Sequence, residues 1–220
     1  EEDTDAILLA VPTDHVIKNN SEFHSAIATA HEFLDEGKLV TFGIQPKNAH
    51  TGYGYLEKKD ILSSKTFSIK QFVEKPVLKR AQEMLKTNNF MWNSGMFLLR
   101  AKDMFDLFTN HYSTDIKHVQ ESISFAQSDL GFIRLAAEPW NKCLSISIDH
   151  AIMEKASNIV GVELNGSWSD LGDLKTLFEE MTLDDRGNTI STNASIIDCE
   201  NVAVKSDSEK IHVAALGIRD

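Results

Sequence analysis

An α/β fold is predicted by three features near the start of the chain. Residues 6–11 (AILLAV) are an unbroken apolar run, the pattern of a strand buried on both faces as in a parallel sheet. After Ser21 the apolar residues Phe23, Ala26, Ile27, Ala30, Phe33 and Leu34 recur at helical spacing, and Gly37 supplies a stop. Leu39–Ile44 (LVTFGI) is a second apolar run. Strand, helix and strand in that order make a βαβ unit.

The later elements are read in the same way. Thr66–Val73 alternates as a strand, and Pro76 stops it because proline cannot donate to a ladder. Leu78, Ala81, Met84 and Leu85 mark an amphipathic helix, and residues 96–99 a short strand. Helical patterns follow around Met104, Phe105 and Phe108 and around Ile116, Val119 and Ile123, the aromatic and Met side chains being core by default. Residues 147–156 suit a helix, 159–164 a strand and 171–181 a helix. From Gly187 the texture turns to short β-prone pieces at 195–197, 202–204 and 211–216, so a boundary is expected near 184–187. The division expected is 1–184 and a β-rich segment 185–220.

Composition narrows the function. The 220 residues carry 22 Lys plus Arg against 33 Asp plus Glu, a net charge of −11, the wrong sign for tracking a nucleic-acid backbone. Any small anion bound here needs local compensation from a metal, a few basic side chains or backbone N–H groups. No apolar run approaches the ~20 residues of a membrane span, so no membrane partner is expected. Cys143 and Cys199 make no disulfide framework, and the acidic start lacks the order of a signal peptide; a cytoplasmic location is the expectation.

Compact catalytic signatures are absent: no His-Glu-x-x-His, no phosphate loop ending in Gly-Lys-Ser/Thr, no Gly-x-Ser-x-Gly and no Gly-x-Gly-x-x-Gly. What remains are polar residues where strands stop, the edge at which open α/β sheets bind ligands. Asp14, three residues after the first strand and beside His15, is either a hard-cation ligand or a turn-capping residue. The Gly52-Tyr53-Gly54-Tyr55 stretch allows close backbone approach by a ligand, or is a hairpin turn. Glu74 and Lys75 share a pocket only if their strand bends or ends there, and are otherwise a surface ion pair. In Trp92-Asn93-Ser94-Gly95, placed before the strand at 96–99, Asn93 offers a donor and an acceptor suited to vicinal hydroxyls, and Gly95 permits close contact. Asp170, in Trp168-Ser169-Asp170-Leu171-Gly172, is a second metal ligand or a helix cap. His24 and His31, seven apart, have no convincing ligand spacing, and His150 reads as a surface residue.

Taken in order, VPTDHVI (11–17), TGYGYLE (51–57), FVEKP (72–76), WNSGMFL (92–98), SIDHAIMEK (147–155) and WSDLG (168–172) resemble the bacterial mannose-1-phosphate guanylyltransferases, and 187–220 resembles the segment after that family's catalytic domain. The resemblance implies a Rossmann-like nucleotidyltransferase fold, with a mixed, mainly parallel sheet flanked by helices and its N-terminal strands missing. It implies Mg²⁺-dependent transfer of GMP from GTP to mannose 1-phosphate, giving GDP-mannose and pyrophosphate. Asp14 and Asp170 would hold the metal, Gly54, Glu74, Asn93 and Gly95 would bind the mannose, and Lys75 would face its phosphate. The catalytic set implied is Asp14, Lys75 and Asp170.

Two departures from the family stand out. Val11-Pro12-Thr13-Asp14-His15 replaces the usual Leu-Pro-Ala-Asp-His, and no Gly-rich, Arg-containing nucleotide loop is present, so poor turnover by this chain alone is expected. Another sugar nucleotidyltransferase making a UDP-, dTDP- or ADP-sugar, or a non-catalytic sugar-nucleotide module, are the alternative readings. The sequence leaves a homodimer open.

Overall fold

A computed structural model describes residues 3, 5–165, 168–172, 183–191, 193–206 and 208–219. The described chain divides into two units, one formed by residues 1–13 and 17–167, the other by 14–16 and 168–220.

The first unit is built on a six-stranded sheet: β1 (Ile7–Ala10), β3 (Leu39–Ile44), β4 (Tyr55–Ile61), β5 (Thr66–Val73), β6 (Phe90–Arg100) and β9 (Ile159–Glu163). The spatial order is β1-β6-β3-β9-β5-β4, and β4 also pairs with β6. The two-residue β2 (Val16–Ile17) and the hairpin of β7 (Gln127–Asp129) with β8 (Phe132–Arg134) stand outside it. The helices are α1 (Asn20–His31), α2 (Leu78–Thr87), α3 (Ala101–His111), α4 (Ser113–Ser124) and α5 (Ala137–Trp140).

The mixed sheet and flanking helices agree with the expected class, whereas the pairing corrects the expectation of a mainly parallel sheet. Only β3–β9 is parallel among the neighbouring pairs. β1–β6, β3–β6, β4–β5, β4–β6 and β5–β9 are antiparallel. The βαβ reading is right about direction, since β1 and β3 both oppose β6, but β6 lies between them. An apolar run reports burial and not the polarity of its neighbours, which is why the sequence left this open.

Burial of β1 is a second correction. All four of its residues are exposed, because it lies at an edge with β6 as its described neighbour. By contrast β3 is buried at all six positions and sits inside the sheet. One face of the sheet packs Leu56, Phe67, Phe72, Met91 and Phe97 against Ala151, Ile152 and Met153, with Phe108 of α3 against the cluster. Phe105, expected in the core, is 47% exposed. On the other face Phe23 of α1 meets Phe42 edge-on at 6.1 Å, beside the buried Ala26 and Ala30. Asn19 starts α1 by accepting the Glu22 N–H, as a polar N-cap does.

The third correction is the length of β6. It runs eleven residues, so Trp92-Asn93-Ser94-Gly95 lies within the strand and not before it. The β3 register passes from Thr41↔Phe97 to Gly43↔Asn93, so Phe42 alone spans Ser94, Gly95 and Met96. Gly95 takes φ 71°, the left-handed conformation this bulge needs.

The second unit contains β10 (Trp168–Ser169), paired with β2, then β11 (Thr189–Ile190), β12 (Ala194–Ile197), β13 (Ala203–Val204) and β14 (Val213–Leu216). β11 pairs in parallel with β13, and β12 with β14. Short parallel rungs of this kind stack successive turns of chain on each other. The helix expected over 171–181 falls almost wholly outside the described residues.

Packing predicts a sensitive position. A Cβ on Gly161 would lie 2.2 Å from the ring of Phe67, which is fully buried, so Gly161→Ala should cost about 1–3 kcal/mol in urea denaturation. Unchanged stability would show that the β5–β9 contact is looser than described.

Candidate active site

The first unit gathers five of the residues singled out in sequence. β5 ends at Val73, and Lys75 follows with φ 41°, a conformation that turns two consecutive side chains toward each other. Lys75 Nζ therefore lies 3.8 Å from Glu74 Oε1, with the lysine side chain exposed and the glutamate nearly buried. A Cβ on Gly54 would sit 2.6 Å from Glu74 Oε2 and 3.3 Å from the Asn93 Cβ, so only glycine lets the three meet. The backbone closes the same corner, the Asn93 N–H donating to the Gly54 carbonyl at 2.8 Å.

Asn93 is buried and already engaged. Its Oδ1 accepts from Thr41 Oγ1 at 2.7 Å, and its Nδ2 donates to Asp149 Oδ1 at 3.3 Å. Thr41 Oγ1 also lies 3.0 Å from the Met96 carbonyl, across the bulge. One lone pair of the Asn93 oxygen is thus engaged, and its second N–H remains as a donor to a ligand. Gly95 holds the bulge that makes this possible.

Asp149 and His150 are the site residues that sequence reasoning missed. Asp149 opens a π-helical turn, Asp149–Met153, where the Glu154 N–H reaches back five residues to the Asp149 carbonyl. Such turns aim side chains off the ordinary helical spacing. His150 Nδ1 lies 3.2 Å from Glu154 Oε2. The available signal was the quoted motif itself, which marked the segment without showing where Asp149 points.

Two half-buried acids now stand close together. Burial raises the Glu74 carboxyl above the usual range and nearby Asp149 raises it further, against the pull of Lys75 and His150. Burial likewise raises Asp149, opposed by a hydrogen bond from its own backbone and by His150 and Lys75. Both acids hold protons more tightly in the folded chain than in the unfolded one, so their contribution to stability falls as pH rises through the shifted range. Chemically, two carboxyls, one amide N–H and a side-chain-free strip of backbone can accept and donate to neighbouring hydroxyls, and Lys75 adds a cation at the rim.

The second unit holds the other two. Asp14 is exposed, next to His15, whose ring meets Trp168 edge-on at 5.3 Å and whose Nδ1 accepts from Trp168 Nε1 at 3.3 Å. Burial lowers the His15 pKa, while Asp14 and Asp170 both pull it upward by charge, so both carboxylates lie near this ring. Asp170 Oδ1 accepts the Gly172 N–H at 3.1 Å and Ser169 Oγ the Leu171 N–H at 3.3 Å, each closing a short turn, while the helix of the capping alternative falls outside the described residues. A turn bond at one carboxylate oxygen is compatible with a cation at the other. The paired carboxylates are a hard oxygen set that fits a divalent cation such as Mg²⁺, which takes one or two carboxylates with phosphates and water. No group of three or more protein ligands occurs among the described residues, so such a cation needs ligands from a substrate.

Among the described residues no helix is long and apolar enough to cross a membrane.

The electrostatics of the acid pair give a measurable consequence. In side-chain ¹³C NMR the Glu74 carboxyl should titrate above the ordinary range, and Asp149→Asn should move it down without restoring it fully, because burial remains. An unmoved Glu74 would mean that the two acids do not sense each other.

Comparisons with known proteins bear on this geometry. The family described as nucleotidyl transferase matches residues 1–186. A mannose-1-phosphate guanylyltransferase of Klebsiella pneumoniae is 36% identical over 219 residues, 98% of this chain and 46% of that protein. One from Sinorhizobium fredii is 37% identical over 214 residues, 97% of this chain and 41% of that protein. The chain spans a little under half the length of these relatives. Among solved structures, one titled mannose-1-phosphate geranyltransferase from Thermus thermophilus superposes with a TM-score of 0.80 at 26% identity, covering 97% of this chain and 61% of that one. Another, titled mannose-6-phosphate isomerase from Helicobacter pylori, has a TM-score of 0.69 at 32% identity over 76% of this chain and 65% of that one.

Proposed function

From the premise that this chain belongs to the nucleotidyl transferase family, we propose that the protein is a mannose-1-phosphate guanylyltransferase, transferring GMP from GTP to mannose 1-phosphate with release of pyrophosphate. The observation that carries the reading is the meeting of Glu74, Asn93 and Asp149 around the bare backbone of Gly54. That set matches vicinal hydroxyls, in a chain whose curated relatives bear this name.

In this reading Glu74 accepts from the sugar hydroxyls and the remaining N–H of Asn93 donates to them, while Gly54 and Gly95 let the ring approach the backbone. Lys75, exposed at the rim and 3.8 Å from Glu74, meets the sugar phosphate. Asp14 and Asp170 would hold Mg²⁺, which when bound supplies positive charge to phosphate oxygens. No protein nucleophile is needed. A phosphate oxygen of mannose 1-phosphate attacks the α-phosphorus of GTP in line, and the leaving group is pyrophosphate. The chain's contribution is to position one anion against another and to screen their repulsion. Burial opposes a positive charge on His15, which lessens its competition with a cation for the two carboxylates. Residues 1–184 would form the catalytic domain and 185–220 a β-rich segment following it. Use of GTP fits a cytoplasmic location.

The test is pyrophosphate release by the full-length protein with GTP, UTP, dTTP and ATP, each offered with mannose 1-phosphate and glucose 1-phosphate. GTP with mannose 1-phosphate should be the best pair, and preference for UTP with glucose 1-phosphate would overturn the proposal. Asp170→Asn should lower kcat by at least about a hundredfold while mannose 1-phosphate still binds. Retained turnover in that variant would remove Asp170 from the metal site.

A further inference from the structure

The turn that delivers Gly54 to Glu74 and Asn93 is held by a histidine. Residues 45–52 are mostly exposed, and Gly52 has no side chain with which to anchor itself. His50 does the anchoring. Its Nδ1 accepts the Gly52 N–H at 3.2 Å, its carbonyl accepts the Tyr55 hydroxyl at 2.9 Å, and its ring stacks on Tyr53 at 3.9 Å and 20°. Tyr53 in turn meets Trp92 edge-on at 5.0 Å, and His50 reaches the same indole at 6.2 Å.

The position of these rings links them to the pocket. Tyr53 precedes Gly54 and Trp92 precedes Asn93, so the aromatic contact and the Gly54–Asn93 backbone hydrogen bond couple the same two chain segments. Trp92 Nε1 is buried with no hydrogen-bond partner among the described residues. That indole is therefore located by packing, and His50 supplies part of it.

We infer that His50 is a positioning residue for the sugar-phosphate pocket, closing the 50–54 turn through Nδ1 so that Gly54 is presented to Glu74 and Asn93. The inference rests on the guanylyltransferase reading. A histidine acting this way does what an asparagine does in an Asx turn, where the side-chain oxygen accepts the N–H two residues on. The required form has a lone pair at Nδ1 and its proton at Nε2. Nothing in this role touches the reacting atoms.

The analogy supplies the test, a calorimetric titration of mannose 1-phosphate into the wild-type protein and three variants, with Tm measured for each. His50→Ala should weaken sugar-phosphate binding about three- to tenfold, the scale of one lost hydrogen bond. His50→Asn, which keeps an acceptor where Nδ1 stood, should recover most of that loss. His50→Phe, which keeps a ring without an acceptor, should not recover it, even where its Tm equals that of the wild type. Equal binding by wild type and His50→Ala would overturn the inference and leave the functional reading standing. A loss that Phe repairs and Asn does not would also overturn it, by assigning the effect to packing. If the wild-type protein itself ignores mannose 1-phosphate, the functional reading fails and this inference fails with it.

Discussion

The bulge in β6 is the constraint on which the pocket depends. β6 must hydrogen-bond to β3 along its length while β4 flanks its first half and β1 its second, and a regular strand would keep every odd-numbered residue on one face throughout. Spending three residues opposite Phe42 interrupts the ladder at Gly95 yet keeps that alternation, with Met91 and Phe97 on either side of the bulge in one core cluster. The Thr41 hydroxyl lies within hydrogen-bond distance of both Asn93 Oδ1 and the Met96 carbonyl, so its one proton serves either side of the break. Asn93 is thereby fixed with its amide nitrogen toward Asp149. A serviceable polar pocket inside an otherwise apolar sheet needs such a fixed amide, because a loosely held one would leave buried groups unpaired at a cost of about 1–3 kcal/mol each.

Charge is handled by separation of tasks. The chain as a whole is strongly acidic; burial raises the carboxyl pKa of both Glu74 and Asp149, and Asp149 raises that of Glu74 further. The exposed carboxylate Asp14 and its companion Asp170 are instead placed beside a ring that burial disfavours charging. Lys75 is a positive side chain at the rim of this corner, bent back by its left-handed backbone to within ion-pair distance of Glu74.

Some of this was legible in the residues and some was not, for physical reasons. β3 and β5 match the sequence reading to the residue, since an apolar run and an alternating run each ended at strong punctuation. β6 did not, because Asn-Ser-Gly reads as a turn when it is in fact a bulge inside a strand. The apolar run of β1 promised burial that its edge position does not provide among the described residues. Glu74 and Lys75 were correctly tied to a strand ending, whereas Asp149 was hidden because a π-helical turn sets its direction. The contact between His15 and Trp168 spans 153 positions and has no local signature at all.

The most direct measurement follows the Asn93 side-chain amide by ¹H–¹⁵N NMR during titration with mannose 1-phosphate. One of its two N–H protons already serves Asp149, so the account predicts a shift in the other, saturating together with backbone shifts at Gly54 and Lys75. Saturable binding that leaves the Asn93 amide unmoved would contradict the account, because it would put the sugar elsewhere in the fold.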